Sequence, residues 1–554
     1  MFKRIRVSFA AACLLCTGLL AFGTVSSAQN GLPPLIDREI FFGNPEIAGA
    51  QISPDGKYIA FRKPHKDTMN IWVKRADEPF ERARLITNEA KRPIRSYFWS
   101  RDGKYILFVN DFGGDENFNV YAVDPAGAEV AAARNLSDMK KVRAVIYEVP
   151  RNEPDTIYVG LNDRDARWHD LYRLRVSSGE RQLIKQNTDR FDGYQFDNAG
   201  NLRLATRIPE SGDTELLRLD ADGKATKVYS CNVFETCYPV RFHKDNRRVY
   251  MVTNKGDVDL IRLVLLDPET GKEEAVESDP MNRVDFGSAR FSDVTDEIIY
   301  TAYDDDKPRT YFKDKAYDAD YKSLQKQLPN KEIAFGSSTR DEMVWMVTAW
   351  SDTEPGETYL FDRKSKKLTK QYRVRQRLPR EHLAEMRIVR YKSSDGMEIP
   401  AYLTLPKGVP AKNLPTIINP HGGPWGRDTW GYRSYAQFAA NRGYAVLQPN
   451  FRASTGFGKK FLDAGNNQWG DKMQDDLTYG VKYLIAEGIA DPKRVGIWGG
   501  SYGGYATLAG ITFTPDLYAA AVAEVAPSNL ITLLETMPPY WEAGRVRLYK
   551  RMGD

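Results

Sequence analysis

The sequence predicts two domains, an all-β seven-bladed propeller followed by an α/β domain, on three observations. A short-strand motif returns seven times at intervals of 46 to 50 residues, a second strand motif trails it at the same period, and past residue 386 strands begin to alternate with helical stretches. A chain of 554 residues, 42% hydrophobic and 28% charged, is in any case too long for one core.

In chain order, the first element is a leader. Lys3, Arg4 and Arg6 precede an apolar run from Val7 to Phe22, and Ser26, Ser27 and Ala28 follow it. That is the order of a cleavable export signal over 1–28, giving a periplasmic or secreted protein that starts near Gln29. The rival, a retained anchor, is opposed by a run shorter than the roughly 20 residues a spanning helix needs. Losing the leader removes three of five net positive charges and two of four cysteines. The remainder is nearly neutral, which gives no electrostatic case for nucleic acid. No later segment suggests a membrane partner, and nothing sets the oligomeric state. Cys231 and Cys237, six positions apart in YSCNVFETCYP, are expected to form a disulfide in an oxidising compartment. No cofactor and no metal are expected; zinc would need more ligands than that stretch holds.

After a short segment (29–45), the propeller is expected over 46–372. SPDGKYIAF at Ser53 and SRDGKYILF at Ser100 each read as a polar turn followed by alternating apolar residues, a hairpin signal. Weaker copies start at Pro150, Asp197, His243, Ser292 and Ser338. About 20 residues behind run NVYAVDPAG, DLYRLRVSSG, ELLRLDADG, RLVLLDPETG and ETYLFDRKSK. A unit of this length with several short strands matches a propeller blade better than a β-sandwich array. The stretch DFGGDENFN (111–119) departs from the repeat. There Asp115 or Glu116 would meet a substrate amino group at the channel mouth, or would simply lie in a solvated loop.

A linker, 373–386, leads into the second domain, 387–554. The expected order is strand 387–392, strand 399–405, strand 415–419, helix 431–442, strand 444–449, helix 472–487, strand 494–498, helix 503–514 and strand 518–524. In GIWGGSYGGYATLAG (496–510) the serine of a GxSxG pattern sits between an apolar strand and a helical stretch. A bare GxSxG is weak, but that junction is the setting of a nucleophile elbow, so the domain reads as an α/β-hydrolase with Ser501 as nucleophile. The loop INPHGGPWG (418–426) follows the third strand. In this fold such a loop supplies one oxyanion N–H and the residue after the nucleophile supplies the other, which assigns Gly423 and Tyr502. His421 precedes the serine, the wrong chain order for the base, and is read as shaping its loop. Arg452, in PNFRASTGFG, would bind a substrate carbonyl or carboxylate, or else pair with Asp475 or Asp476. Trp425, Tyr502 and Tyr505 are candidates for an apolar substrate pocket, or for packing.

A seven-bladed cap followed by HGGPWG, NFRASTGFG and GGSYGGY resembles the prolyl oligopeptidase family of serine peptidases, notably its acylaminoacyl-peptidase and dipeptidyl-peptidase V-like branch. The resemblance covers nearly all of the chain past the leader and departs at Ala453, where that branch usually has glycine. It implies a propeller that admits only short peptides, cleaved through an acyl-enzyme on Ser501. It also implies a triad acid and base well after the serine, yet all five histidines precede Ser501. The expectation is therefore a C-terminally truncated, incomplete hydrolase domain, poorly active or inactive as written, with a degenerate homologue as the alternative. The doubled glutamate of dipeptidyl-peptidase IV-type enzymes is not evident. Two other functions remain open: an esterase of small acyl esters, and a non-catalytic propeller that only binds.

Overall fold

The computed structural model describes residues 31–553 apart from 128–129, 131–132 and 222. The expected export signal lies outside these residues. Seven antiparallel sheets follow one another along the chain, over 48–85, 98–135, 144–185, 191–231, 237–277, 288–312 and 332–373. They form the blades of the propeller.

The repeat marks the first hairpin of each blade. In blade one Ser53 N–H donates to the Tyr58 carbonyl and Gly56 N–H to that of Ser53; Ser100, Tyr105 and Gly103 repeat the pattern in blade two. The positive φ of Gly56 and Gly103, 75° and 76°, is why glycine closes these turns. The trailing motif is the third strand of its blade, as at Asn119–Val123 and Arg262–Leu266. Blade six departs from the pattern, with three strands and then the helix Lys315–Gln327. Asp314 caps that helix, and its Tyr317 and Leu324 pack with Ile299, Trp345 and Phe361 between blades six and seven. The helix therefore covers apolar surface where a fourth strand would otherwise lie.

Each blade is built from consecutive strands, so the ring closes without a shared strand. The seam is made by side chains together with a backbone bond from Arg340 N–H to the Pro54 carbonyl (2.8 Å). Ile52 N–H donates to Ser337 Oγ (2.9 Å), Ala50 N–H to the Tyr372 hydroxyl (3.0 Å), and Ile52, Ile59 and Phe61 pack on Met346. Between blades four and five, Cys231 and Cys237 are joined, with Cα atoms 6.2 Å apart. The bridge links the last strand of one blade to the first strand of the next. Closing so short a loop restricts the unfolded chain by about 2 kcal/mol. The Cys231→Ser, Cys237→Ser variant is expected to lose that much in urea unfolding, and reductant is expected to destabilise the parent chain but not the variant.

The second domain is a six-stranded mixed sheet. Its strands, numbered here β1 (Met386–Lys392), β2 (Glu398–Thr404), β3 (Leu414–Ile418), β4 (Ala445–Pro449), β5 (Ala490–Gly500) and β6 (Ala520–Glu524), lie in the order β1-β2-β4-β3-β5-β6. The β4-β3-β5-β6 neighbours are parallel. Helices Ser434–Asn441, Lys472–Ala486 and Tyr502–Phe513 pack beside it, and Met473, Leu477, Val481 and Leu484 of the second enter a core with Leu403, Leu447 and Ile497.

The segment before the propeller belongs to this domain. Ile36 N–H donates to Asn441 Oδ1 (2.8 Å), Asn441 Nδ2 to the Pro34 carbonyl (3.0 Å), and Phe41 meets Phe438 edge to face. The propeller is thus an insertion whose two connections run side by side, where Arg377 pairs with Glu46 (3.0 Å) and Arg375 donates to the Ile40 and Gly43 carbonyls.

Candidate active site

Ser501 stands alone between the end of β5 and the start of the helix Tyr502–Phe513, with φ 56° and ψ −121°. A side-chain-bearing residue with that φ is strained and persists only where its surroundings impose it. Three glycines do so here. A Cβ at Gly499 would overlap the Gly503 backbone, one at Gly503 would overlap the Pro420 carbonyl, and one at Gly504 would lie 2.8 Å from the Glu524 carbonyl. The close approaches lock strand, turn and helix together, and Ser501 N–H is held by the Glu524 carbonyl at 2.9 Å. The serine is left exposed at the top of the sheet.

The HGGP loop passes directly over it. A Cβ on Gly422 would sit 3.4 Å from Ser501 Cβ and 4.0 Å from its Oγ, in van der Waals contact with the serine side chain. Gly423 has φ 126° and lines the same cavity. Among the described residues the N–H groups of Gly423 and Tyr502 donate no hydrogen bond. Tyr502 N–H is at the first turn of its helix, where backbone donors have no partner within the helix and the helix dipole favours negative charge. Two unclaimed backbone donors beside an exposed hydroxyl are the arrangement that stabilises a tetrahedral oxyanion.

His421 does not serve Ser501. Its Nε2 is hydrogen-bonded with Ser454 Oγ (2.8 Å) and its Nδ1 with the Gly422 carbonyl (2.8 Å), while its ring stacks on Phe451 at 4.4 Å. Burial lowers its pKa, which keeps the ring neutral as a brace for the loop. His65, His169 and His243 lie in the propeller and His382 in the linker.

Beside Ser501 opens a cavity of about 700 Å³. Trp425, Trp469, Tyr502, Leu534, Met537 and Trp541 form much of its wall. Two of the expected pocket residues, Trp425 and Tyr502, are therefore placed together with Ser501 and Gly423. Tyr505 is a correction: it is not among the cavity's lining residues, and its ring packs against Trp469 (5.3 Å) and Tyr502 (5.8 Å).

For Arg452 the substrate role is corrected and the alternative, pairing with Asp476, is the one observed. It is 3% exposed and donates through Nε to Asp476 Oδ2 (2.9 Å) and through its terminal nitrogens to Asp476 Oδ1 (2.8 Å) and Asp395 Oδ2 (2.8 Å). Burial alone would lower its pKa, but the hydrogen bonds to the two carboxylates raise it. Asp476 also accepts from Arg452 N–H and Ser393 Oγ, so the guanidinium ties the loop after β4 to the helix Lys472–Ala486 and the β1–β2 turn.

Glu116 is a third correction. Its carboxylate accepts the Tyr540 hydroxyl at 2.6 Å, and the Arg143 guanidinium lies 4.5 Å over the Tyr540 ring. Asp115 is used within its own turn, accepting from Asn117 N–H. The loop therefore joins the propeller to the second domain, and its glutamate is not a free carboxylate in the cavity.

The lower wall of the cavity escaped the sequence reading. Leu533, Leu534, Met537 and Trp541, then Leu548 and Met552 four apart, recur at helical spacing. That spacing was the available signal.

Comparison with known proteins follows the same outline. The model of the prolyl oligopeptidase family matches residues 430–548. Dipeptidyl aminopeptidase BIII of Pseudoxanthomonas mexicana is 39% identical over 530 residues, covering 94% of this chain and 76% of that protein. Dipeptidyl peptidase family member 6 of Caenorhabditis elegans is 30% identical over 565 residues, covering 94% and 74%. Among solved structures, a puromycin hydrolase superposes with a TM-score of 0.69 at 18% identity, over 95% of this chain and 84% of that one, a likeness of fold.

Proposed function

The chain belongs to the prolyl oligopeptidase family of serine peptidases, and on that premise we propose that Ser501 is its nucleophile and that it releases dipeptides from the amino terminus of short peptides. The observation that carries the first part is the exposed Ser501 hydroxyl beside two unclaimed backbone donors. As a base takes the hydroxyl proton, the oxygen attacks a peptide carbonyl and the Gly423 and Tyr502 N–H groups hold the developing oxyanion; the C–N bond then breaks with that proton passing to the departing amine, and water hydrolyses the acyl-enzyme. The Trp425–Trp469–Trp541 cavity receives an apolar side chain of the substrate. Dipeptide release, rather than acylaminoacyl or internal cleavage, is favoured by the names of the two relatives at 39% and 30% identity.

In this fold the base follows the nucleophile in chain order, and no histidine among the 554 residues follows Ser501. The decisive assay therefore supplies imidazole as an external base. A dipeptidyl anilide with a free amino terminus is expected to be cleaved faster than its N-acetylated form. Hydrolysis of the matched ester alone would overturn the peptidase reading, and preference for the acetylated anilide would overturn dipeptide release.

The leader reading adds export to the periplasm or beyond. The Cys231–Cys237 bridge supports it, because such bonds persist in oxidising compartments.

A further inference from the structure

Among the described residues, the cavity beside Ser501 has one charged side chain in its wall, Arg547, on the helix Arg545–Met552. The other two arginines of that helix are paired, Arg545 with Glu542 (3.4 Å) and Arg551 with Asp463 (3.0 Å), while Lys550 donates to the Ser211 carbonyl (2.7 Å). Arg547 is not so paired. Its one hydrogen bond runs to Thr214 Oγ1 at 3.2 Å, a neutral hydroxyl on blade four. Its Nε is buried with no partner, and among the described residues no carboxylate lies within 4.0 Å of it. Asp192, from the first strand of blade four, acts on it only through space and is engaged with Thr206. A guanidinium stays charged at any ordinary pH, and a cation left unpaired against apolar walls is costly unless something binds it.

We propose that Arg547 is a carboxylate anchor: it binds a carboxylate of the peptide held against Ser501, while the surrounding tryptophan, leucine and methionine side chains take the apolar part. This rests on the assignment of the cavity beside Ser501 as the peptide site. The planar fork of arginine suits a carboxylate in two-point contact. A carboxylate reaches the cavity from either of two sources, the C-terminus of a short peptide or an acidic side chain. In the first case the anchor also measures length, because the terminus must lie within reach of both Arg547 and Ser501.

The test is calorimetric binding to the Ser501→Ala chain, which removes turnover. An apolar tetrapeptide is offered as the free acid, as the C-terminal amide, and as an amide carrying one glutamate. The free acid is expected to bind at least tenfold more tightly than the plain amide, and Arg547→Gln is expected to abolish that difference while Arg547→Lys retains part of it. Equal tightness of the glutamate-bearing amide supports the anchor and assigns the side chain as a second source. Equal binding of acid and plain amide, or a difference that survives Arg547→Gln in a variant whose thermal unfolding is unchanged, overturns the proposal. Fluorophosphonate labelling of Ser501 in the unaltered chain needs no carboxylate, so failure of the nucleophile assignment shows separately.

Discussion

Ser501→Ala is expected to abolish covalent capture by a fluorophosphonate and to remove the imidazole-dependent part of anilide cleavage, because without the nucleophile an added base has no proton to take. Nothing nearby replaces the missing oxygen. Its neighbours Gly500 and Tyr502 offer none, since Tyr502 is 2% exposed with its ring packed against Trp469 and Phe451. Ser454 is buried and engaged with His421 and the Phe451 carbonyl. Alanine adopts the same backbone without new contacts, so the unfolding transition should not move. Peptide mapping of the labelled protein checks the site, and label on any other residue would overturn the assignment. Because a positioned base contributes typically 10²–10⁴-fold, labelling of the 554-residue chain itself should be slow and rise with imidazole.

The largest expected loss of stability is that of Asp476→Ala. Removing it leaves Arg452 buried with only Asp395 and Ser393 as partners, and breaking a buried pair from one side typically costs about 3–5 kcal/mol. Urea unfolding of the variant measures it, and a loss below about 1 kcal/mol would show that the network yields easily. Asp395→Ala should cost far less, because the Asp395 side chain is 39% exposed whereas that of Asp476 is fully buried. The hydrogen bond from Arg452 lowers the Asp395 pKa to about 2. Its folded-state pKa is depressed, so its contribution is complete above about pH 4, the unfolded value, and is lost as pH falls through 2. An acid titration of parent and Asp395→Asn should therefore converge only at the acid end.

Why some parts could be read in advance is a matter of locality. The turns at Ser53 and Ser100 are written within a few residues, and so is the elbow, because the Gly499, Gly503 and Gly504 contacts all arise from one strand-turn-helix crossing. The strands and principal helices of the second domain followed from local pattern as well, to within a few residues at their ends. Where two readings of a residue stayed open, the choice depends on distant partners. Arg452 in a motif looks available for substrate until Asp476 and Asp395 are brought to it by other elements. Glu116 looks free until Tyr540 arrives from 424 residues away. The helix of blade six, by contrast, carried a local signal in its Asp314 cap and in Tyr317 and Leu324 seven apart.

The insertion of the propeller into the other domain has a consequence in time. Ile36 must wait for Asn441, 405 residues later, before its backbone finds the partner described above. At the usual 5–20 residues per second, synthesis separates the two by on the order of 20–80 s. During that interval Ile36 and Phe41, both nearly fully enclosed in the finished fold, have no core to enter. The seven blades can assemble in sequence as they emerge, but the opening segment of the chain is among the last parts to be put in place.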